Sequence, residues 1–473
     1  MSASISLASM LSTLFFVTIS GLSLTAMLQG VRQLWKRHTP FVVAGYVMLA
    51  LCFLTLPAAQ ATDRIIINGD GCQVTEEDAI GIFLSSDLYL RVDFPDSHWR
   101  FGLRNQGLKG LSLVDVGIQA AQFTSKQYII KHAGLADMFI PYDDRSNTFY
   151  DMEDPSYNMD QIDPADLPAQ DAALVYLRKH YLQIQGGGYY VRDSVPKVAV
   201  ECREVGIGWL CKQPHNHVRR RIHDVVVWGV FDAGNYDYII QYTFHEDGGI
   251  SFRDGATGFN LPGGESKPHV HNPFWRVSTK LFNRLDNQAF EFVHVEDSQG
   301  YIATDSQLPI LTEQAVDWDP LEFSSVMIQS ATQTNDYGHR QGYEFLPGDR
   351  TGTGRFSTRP YDHEMWTQHD QYLTNDNPGE DGSGSGYNNW RYTPETPDYY
   401  LLNYLNGEWI GGTGDGIVLW YVSSVHHEPT DADNQKGSGD RTGITLVHWA
   451  GFDMEPHNMF DYNPLGGPPR CNE

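Results

Sequence analysis

The chain has 473 residues, 41% of them hydrophobic and 12% aromatic, which is enough to bury a large core in one large domain or two ordinary ones. Its formal net charge of −26 argues against a nucleic-acid partner, because phosphate binding requires clustered lysine and arginine. An acidic surface also enriches protonated amines near it, although charge alone fits the ordinary solubility of an extracellular protein better.

The first 62 residues contain two apolar segments. The first, 5–28, lies in a stretch without charged side chains and is long enough to span a bilayer. A basic patch separates it from the second, 41–61, which ends in Ala-Gln-Ala and resembles a signal-peptidase site. Two interpretations stay open: a helical hairpin with its basic loop in the cytosol, or a leader cleaved after Ala61. Both predict a secreted or membrane-anchored protein whose residues 63–473 are extracellular or lumenal.

The cysteines fit an oxidising compartment. One of the five, Cys52, lies in the second apolar segment. The other four, Cys72, Cys202, Cys211 and Cys471, allow two disulfide bonds in three possible connectivities.

Beyond residue 63 the sequence predicts a mainly β protein. The 45 glycines and 24 prolines are scattered between short apolar runs, a composition typical of many short strands joined by tight turns. Runs rich in β-branched and aromatic residues lie at 88–92, 128–131, 198–201, 225–230, 238–244, 310–312, 417–422 and 443–448. No internal repeat or linker divides this part of the chain, so we expect one large antiparallel β domain.

One segment predicts a helix instead. Residues 168–182 are rich in alanine and leucine, have proline in the first turn and stop before three consecutive glycines. Two further segments, 376–387 and 431–440, are polar and contain glycine, so we expect them to be loops.

The strand that begins at three consecutive valines, 225–227, leads to the segment 232–238, which reads Asp-Ala-Gly-Asn-Tyr-Asp-Tyr. This order predicts a buried strand that ends in a tight Gly-Asn turn and restarts at Tyr238. On local pattern alone, Tyr236 is an ordinary aromatic residue of a β-hairpin.

The chain contains two His-x-His pairs. Residues i and i+2 of a strand point to the same face, so His269 and His271 can chelate one ion, and imidazole suits Cu(II). His215 and His217 form a competing pair, but three arginines at 219–221 follow it and their positive field opposes a bound cation. We therefore predict His269 and His271 as metal ligands.

The segment around Tyr236 resembles the cofactor motif of the copper amine oxidases, in which a hydrophobic strand leads to Ser/Thr-x-x-Asn-Tyr-Asp/Glu-Tyr. Asn235, Tyr236, Asp237 and Tyr238 match this motif, whereas Asp232 stands where the family has a hydroxyl residue. In that family copper and dioxygen oxidise the motif tyrosine to topaquinone. The resemblance therefore implies that Tyr236 is the quinone precursor and that Asn235 belongs to its site. Asp232 places a negative charge four residues before the cofactor.

The resemblance extends to the family's late copper motif, an apolar strand followed by a small residue, His-x-Pro and an acidic pair. His427 fits the His-x-Pro spacing, and His426 is the alternative. The acidic pair is half retained, as Ala432 and Asp433. The resemblance therefore implies that His427 binds copper together with the two histidines of the His-x-His pair.

Two further site residues follow from the resemblance. Amine oxidation requires a base that removes a proton from the carbon bearing nitrogen. Asp151 lies 85 residues before Tyr236, close to the family pattern, and an apolar channel would raise its pKa; Asp154 is the second candidate. Tyr142, in a Pro-Tyr segment, resembles the family tyrosine that hydrogen-bonds the cofactor and orients its ring.

Other family features are expected to be altered. The smaller N-terminal domains of typical members have no counterpart, so we expect a leader, 1–62, followed directly by the catalytic domain. Ser278 and Lys280 stand where acidic residues bind a peripheral divalent ion in the family, so we expect no calcium there. Cys202 matches one half of the family disulfide, but the nearest other cysteine, Cys211, lies on the wrong side of it.

The resemblance implies a large antiparallel β-sandwich, commonly an intertwined homodimer with a buried active site. The leading hypothesis is a primary-amine oxidase. The amine forms a Schiff base with the quinone of Tyr236, and Asp151 removes the α-proton. Hydrolysis releases an aldehyde, and dioxygen reoxidises the cofactor with release of hydrogen peroxide and ammonia.

Two rival hypotheses belong to other classes. A catalytically silent relative would keep the fold as a binding or scaffold module, a hypothesis motivated by Asp232, by the altered surroundings of Asp151 and by the missing domains. A cupin-type oxygenase would use His269 and His271, but no carboxylate follows this pair at cupin spacing. The sequence does not identify the amine.

Overall fold

The computed structural model describes residues 65–69, 71–77, 85–120, 122–142, 148–152, 156–168, 170–184, 187–214, 216–260, 267–283, 286–296, 299, 302–319, 324–348, 365–378, 380, 401–411, 416–430, 433 and 445–465. All of them belong to the second of two units into which the chain divides, Asp63–Glu473. The apolar segments 5–28 and 41–61 therefore lie outside the described residues. No helix in the described ranges is long and apolar enough to cross a membrane.

The described residues are mainly extended. Their strands are β1 (Ile65–Asn68), β2 (Gln73–Glu76), β3 (Leu88–Asp93), β4 (Ser97–Asn105), β5 (Leu111–Ala120), β6 (Gln127–Pro141), β7 (Thr148–Tyr150), β8 (Asn158–Met159), β9 (Ala172–Val175), β10 (Arg178–Ile184), β11 (Gly187–Arg192), β12 (Val198–Gln213), β13 (Asn216–Ala233), β14 (Tyr236–His245), β15 (Ile250–Gly258), β16 (His269–Thr279), β17 (Asn287–Glu296), β18 (Ile302–Ile310), β19 (Gln314–Val316), β20 (Ser325–Thr334), β21 (Arg340–Pro347), β22 (Gln371–Asn375), β23 (Ile417–Val422), β24 (Val425–His427) and β25 (His448–His457). One short α-helix, α1, covers Leu401–Tyr404, and single 3-10 turns cover Gly107–Lys109, Pro164–Asp166, Leu281–Asn283 and Met365–Gln368.

The strands form two large sheets. Within the described ranges, the first sheet runs β1-β2-β3-β4-β5-β6-β16-β23-β22-β19, with β7 added to β6 and β24 added to β16. The second runs β18-β17-β20-β21-β25-β15-β14-β13-β12-β9, with β8 added to β13, and β10 and β11 form a separate pair. Strands β16 and β14, which carry the predicted metal and quinone residues, are therefore central in opposite sheets. The prediction of a mainly antiparallel β fold is confirmed.

Aromatic side chains from the two sheets pack against each other. The Phe101 ring of β4 stacks on Phe244 of β14 with centroids 4.0 Å apart, and Trp275 of β16 lies 6.0 Å from Phe452 of β25. All four side chains are fully buried. Because successive residues of a strand point to opposite faces, each strand sends alternate side chains into this shared core.

The predicted helix at 168–182 is wrong. The segment contains two strands instead, β9 and β10, and β9 pairs with Val198–Glu201 of β12. Alanine and leucine favour helix only weakly, and pairing with a sheet edge overrides that preference. The strand-like run at 310–312 lies where β18 ends, and the strand predicted at 443–448 begins only at His448.

One of the possible disulfide bonds is present. Cys72, just before β2, is bonded to Cys202 on β12, 130 residues away along the chain. The partner of Cys202 is therefore a distant cysteine and not its neighbour Cys211, which is disulfide-bonded itself. This bond ties the first strands of one sheet to the edge of the other.

Candidate metal and cofactor site

Tyr236 begins β14, directly after the turn of the β13–β14 hairpin in the second sheet. Ala233 pairs with Tyr236, so the connecting turn is the dipeptide Gly234-Asn235, as predicted. Gly234 has a φ of 84°, which glycine adopts without strain. The Gly234 N–H donates to the Asp232 carboxylate at 2.7 Å. Asp232 thus closes the turn with its side chain, a bond that a serine or threonine hydroxyl can also accept.

The turn is fastened to the end of β15. The side-chain amide of Asn235 donates to the carbonyl of Phe259 at 3.0 Å, and the Phe259 N–H donates back to the Asn235 carbonyl at 2.9 Å. A Cβ at Gly258 would lie 2.2 Å from the Asn235 oxygen, so only glycine permits this close approach. Asn235 therefore fixes the backbone position from which the Tyr236 side chain enters the core.

Two of the predicted metal ligands lie on the strand of the first sheet that faces this hairpin. His269 and His271 are separated by one residue on β16, and both side chains point inward with exposures of 2% and 0%. Their Nε2 atoms are 3.1 Å apart. The alternation that brings two imidazoles to one face is the one the His-x-His spacing predicts.

The third histidine arrives from far along the chain. Ser424 donates to the side chain of Asn272 on β16 at 2.7 Å, and Ser423 N–H donates to the Pro273 carbonyl at 3.0 Å. These bonds keep β24 on β16 in a register that sets His427 opposite His269. His427 is fully buried, whereas His426 is exposed on the other face of the strand.

The three imidazoles converge on one point. His427 Nδ1 lies 3.2 Å from His269 Nε2, and the three ligand atoms all lie within 4.8 Å of one another. Burial lowers the pKa of His269 to about 4, with the charge of His427 as the next cause, and it holds the pKa of His271 well below its usual value. The histidines are therefore neutral, which is the form that binds a metal.

Hydrogen bonds at the other ring nitrogens determine where each lone pair points. His269 Nδ1 donates to the Lys267 carbonyl at 3.2 Å, which leaves the Nε2 lone pair facing the cluster. His427 Nε2 faces the Asp433 carboxylate at 3.4 Å, which leaves the Nδ1 lone pair facing the histidine cluster. Asp433 is held in turn by Thr430, whose N–H donates to it at 2.5 Å. Ligand histidines are typically oriented by such carbonyl and carboxylate partners, so the residues present fit a Cu(II) ion.

The phenol of Tyr236 reaches into this cluster. Its oxygen lies 3.2 Å from His269 Nε2 and 3.0 Å from His427 Nδ1, and it donates to Asn260 Oδ1 at 3.3 Å. The side chain is buried, with 3% exposure, and burial raises the pKa of the phenol far above its usual value. A metal held by the three histidines would therefore lie next to a neutral, water-excluded tyrosine oxygen.

Asp151 contacts the second tyrosine of the motif, Tyr238. Strand β7 pairs with β6, and the Asp151 N–H continues this ladder by donating to the Met138 carbonyl at 3.1 Å. Tyr238 donates its hydroxyl proton to Asp151 Oδ2 in a short hydrogen bond. Burial raises the pKa of Asp151 to about 7, although the bond from Tyr238 acts to lower it. The alternative base, Asp154, lies outside the described residues.

Tyr142 reaches the cluster from the side. Its ring stacks on the ring of His269, with centroids 4.4 Å apart and planes inclined by 20°. A single β-bridge links the two backbones. The structure therefore brings Tyr142 to a predicted ligand and, through it, to Tyr236.

Of the competing histidine pair, the structure describes one member. His215 is outside the described residues, and His217 is exposed and packs against Trp209 at 5.6 Å. Ser278, which stands where the family binds a peripheral divalent ion, donates to the Asp376 carboxylate at 2.7 Å. Arg276 donates to the same carboxylate at 2.8 Å.

Sequence reasoning gave no role to two residues of this site. Tyr238 lies two residues after Tyr236, so the strand alternation could have indicated that both rings share one face; their centroids are 6.4 Å apart. Asn260, which accepts the Tyr236 proton, lies two residues after β15 and has no local sequence signal of its own.

Comparisons with known proteins agree with this geometry. Residues 280–470 match the family described as copper amine oxidase, enzyme domain. The human protein amine oxidase [copper-containing] 2 is 24% identical over 297 residues, which cover 54% of this chain and 37% of that protein. The chain is thus similar to the copper amine oxidases over part of its length. Human amine oxidase [copper-containing] 3 is 23% identical, over 49% of this chain and 32% of that protein.

Solved structures of this family share the fold. The lysyl oxidase of Pichia pastoris superposes with a TM-score of 0.60 and 19% identity, over 79% of this chain and 52% of that one. A copper-containing benzylamine oxidase from Hansenula polymorpha gives a TM-score of 0.58 and 14% identity, over 81% of this chain and 62% of that one. This chain thus covers 32–37% of the length of the two human proteins and 52–62% of the two solved chains.

Proposed function

We propose that this protein oxidises primary amines to aldehydes, with release of ammonia and hydrogen peroxide, by means of copper and a topaquinone made from Tyr236. The observation that carries the proposal is the position of the Tyr236 oxygen, 3.0 Å and 3.2 Å from nitrogens of His427 and His269 inside a buried three-histidine cluster. Copper bound by His269, His271 and His427 would supply the redox chemistry that converts the tyrosine into the quinone.

Asp151 is the proposed proton acceptor. With a pKa of about 7, roughly half of its population is ionised at neutral pH, which suits a base that takes a proton and later returns it. Tyr238 donates to one of its oxygens and thereby fixes the direction of the carboxyl group. The α-proton of the amine would move to Asp151 in a site from which burial excludes bulk water.

The remaining predicted residues have positioning roles in this proposal. Asn235 holds the hairpin turn against Phe259, and Tyr142 covers the face of His269. Asp433 keeps the Nδ1 of His427 directed at the cluster.

The proposal extends to assembly and location. Val205, Ile207 and Trp209 are 50%, 58% and 41% exposed and occupy alternate positions of β12, so one face of the β12–β13 ribbon is apolar and uncovered in the single chain. A second copy that covers this face would support the predicted homodimer. The Cys72–Cys202 bond favours an oxidising, extracellular or lumenal compartment, reached through the apolar segments 5–28 and 41–61.

One experiment tests the catalytic proposal. The full chain is purified without metal, loaded with Cu(II) in air and treated with phenylhydrazine. A coloured adduct on the peptide that contains Tyr236, absent from Tyr236→Phe, is the expected result. Copper binding without an adduct would exclude the quinone mechanism and favour a different metal-dependent oxygenase. Absence of both would favour the catalytically silent relative.

A further inference from the structure

A fourth imidazole lies against the three-histidine cluster. His448 is the first residue of β25, and its ring centroid is 4.2 Å from that of His427, with the planes inclined by 36°. His427 belongs to the first sheet and His448 to the second, so this contact crosses between the sheets. His269, His271 and His427 are buried, whereas His448 is only partly buried. His448 is therefore placed between the cluster and the surface.

The segment that leads to His448 is hydrogen-bonded next to Tyr236. Thr445 is buried, and its N–H donates to the Gly258 carbonyl at 2.7 Å, close to Tyr236. The next residue, Leu446, is 73% exposed. The segment thus changes from buried to exposed within one residue, and His448 follows two residues later with its ring against His427.

The ring nitrogens of His448 are available to a ligand. Among the residues that the structure describes, neither nitrogen forms a hydrogen bond, and its ring contact is with His427. His427 itself has one nitrogen directed at Asp433 and the other at the cluster. A partly exposed imidazole whose nitrogens form no hydrogen bond with the described residues is a suitable ligand for Cu(II).

We propose that His448 is a loading ligand that takes Cu(II) from solvent and delivers it to His427 and the two histidines of β16. The ion exchanges a bound water for a nitrogen of His448, and then exchanges that nitrogen for those of the cluster. Stepwise exchange matters because moving a hydrated ion into a buried site without new ligands carries a large desolvation penalty. The inference rests on the proposed copper site and deepens it.

The test measures copper uptake by the full-length, metal-free chain. Copper(II) sulfate is mixed with the protein, and uptake is followed by quenching of tryptophan fluorescence and by freeze-quench EPR. His448→Phe keeps a ring against His427 but has no ligand nitrogen. We expect it to bind copper about tenfold more slowly than the wild type, with unchanged final stoichiometry and EPR spectrum. His448→Met, which offers a sulfur ligand, should recover part of the rate.

His426→Phe is the matched control, because His426 is exposed on the opposite face of β24 and should load at the wild-type rate. Thermal unfolding of each metal-free variant checks that the fold is kept. Equal uptake rates for His448→Phe and the wild type would overturn the inference. So would a changed final EPR spectrum, since His448 would then be a permanent ligand. A wild-type chain that binds no copper at all would refute the proposed function itself.

Discussion

The site has two sides: a metal side of three imidazoles around the Tyr236 oxygen, and a proton-transfer side made of the Asp151 carboxyl and the Tyr238 phenol. Burial acts on both sides but in opposite senses: it lowers the pKa of His269 to about 4 and raises that of Asp151 to about 7. In each case the neutral form is favoured. The metal side is thereby prepared for a cation, and the proton-transfer side is prepared to exchange a proton near neutral pH.

Tyr238 joins the two sides. It donates its proton to Asp151, and its oxygen lies 3.5 Å from His271 Nδ1, at the long limit for a hydrogen bond. Because the Tyr238 proton is already committed to Asp151, its oxygen can only accept from His271. That arrangement places the Nδ1 proton toward Tyr238 and the Nε2 lone pair toward the cluster. One phenol therefore orients both a metal ligand and the proposed base.

The largest expected effect is on the metal side. His271→Ala removes a proposed ligand outright, so copper affinity should fall by more than the roughly 10–100-fold typical of residues that only support a ligand. Without copper no quinone forms, and the phenylhydrazine adduct on Tyr236 should disappear. His217→Ala, an exposed histidine of the competing pair, is the control and should retain copper and adduct. An undiminished adduct in His271→Ala would remove it from the ligand set.

The next effect separates the two sides. Asp151→Asn should lower amine turnover by roughly 10²–10⁴-fold, the range typical of a lost general base, while copper content and adduct yield stay unchanged. Undiminished turnover would exclude Asp151 as the base.

Asp151→Asn should lower turnover but raise the stability of the fold above about pH 7. The folded pKa of Asp151, about 7, lies above its unfolded value of 3.8, so the native state holds the proton more tightly. Stability is therefore lost as pH rises from about 4 to about 7. Asp151→Asn has no such loss, and its melting temperature at pH 8 should exceed that of the wild type.

A smaller effect tests the link between the sides. The hydrogen bond from Tyr238 lowers the pKa of Asp151, so Tyr238→Phe should raise that pKa further and move the acid limb of the pH–rate profile to higher pH. Turnover below pH 7 should fall more than turnover at pH 9. Tyr242→Phe is the control, because Tyr242 is buried on the same strand but donates to the Leu111 carbonyl at 2.7 Å. Identical profiles for both variants would show that Tyr238 does not tune the base.

The fold and the proximity of the main site residues could be predicted because their signals are either periodic or carried by ordered motifs. Strand alternation predicts that His269 and His271 share a face, and the Gly-Asn turn predicts the hairpin before Tyr236. Partners set by tertiary packing left no such signal. The Cys72–Cys202 bond joins residues 130 positions apart, and the contact of His448 with His427 joins strands of different sheets.

The helix prediction for 168–182 is wrong for a related physical reason. Its alanine and leucine content favours a helix locally, but pairing of β9 with β12 and of β10 with β11 makes it two strands. The motif includes Tyr238, but it does not predict the role of this residue. Nothing in the local sequence indicates that Asp151, 87 positions earlier, accepts a hydrogen bond from the Tyr238 hydroxyl.

The smallest expected effect concerns Asp232, the departure from the family motif. Its carboxylate accepts from the Gly234 N–H, and a serine hydroxyl can accept the same bond, so Asp232→Ser should change stability by no more than about 0.5 kcal/mol. Asp232→Ala, which loses the bond, should cost about 1 kcal/mol.

The charge of Asp232 decides whether Asp232→Ser raises or lowers the stability of the fold. Asp232 faces Asp237 across the hairpin, and burial together with the charge of Asp232 raises the pKa of Asp237 to about 6. This raised value lies above the unfolded 3.8, so the repulsion costs stability as pH rises from about 4 to 6 and beyond. Asp232→Ser removes that repulsion, and denaturant unfolding should find it slightly more stable at pH 7 than at pH 4, relative to the wild type. Adduct yield on Tyr236 should stay the same, because the carboxylate is engaged at the turn; a marked rise would mean that its charge hinders formation of the quinone.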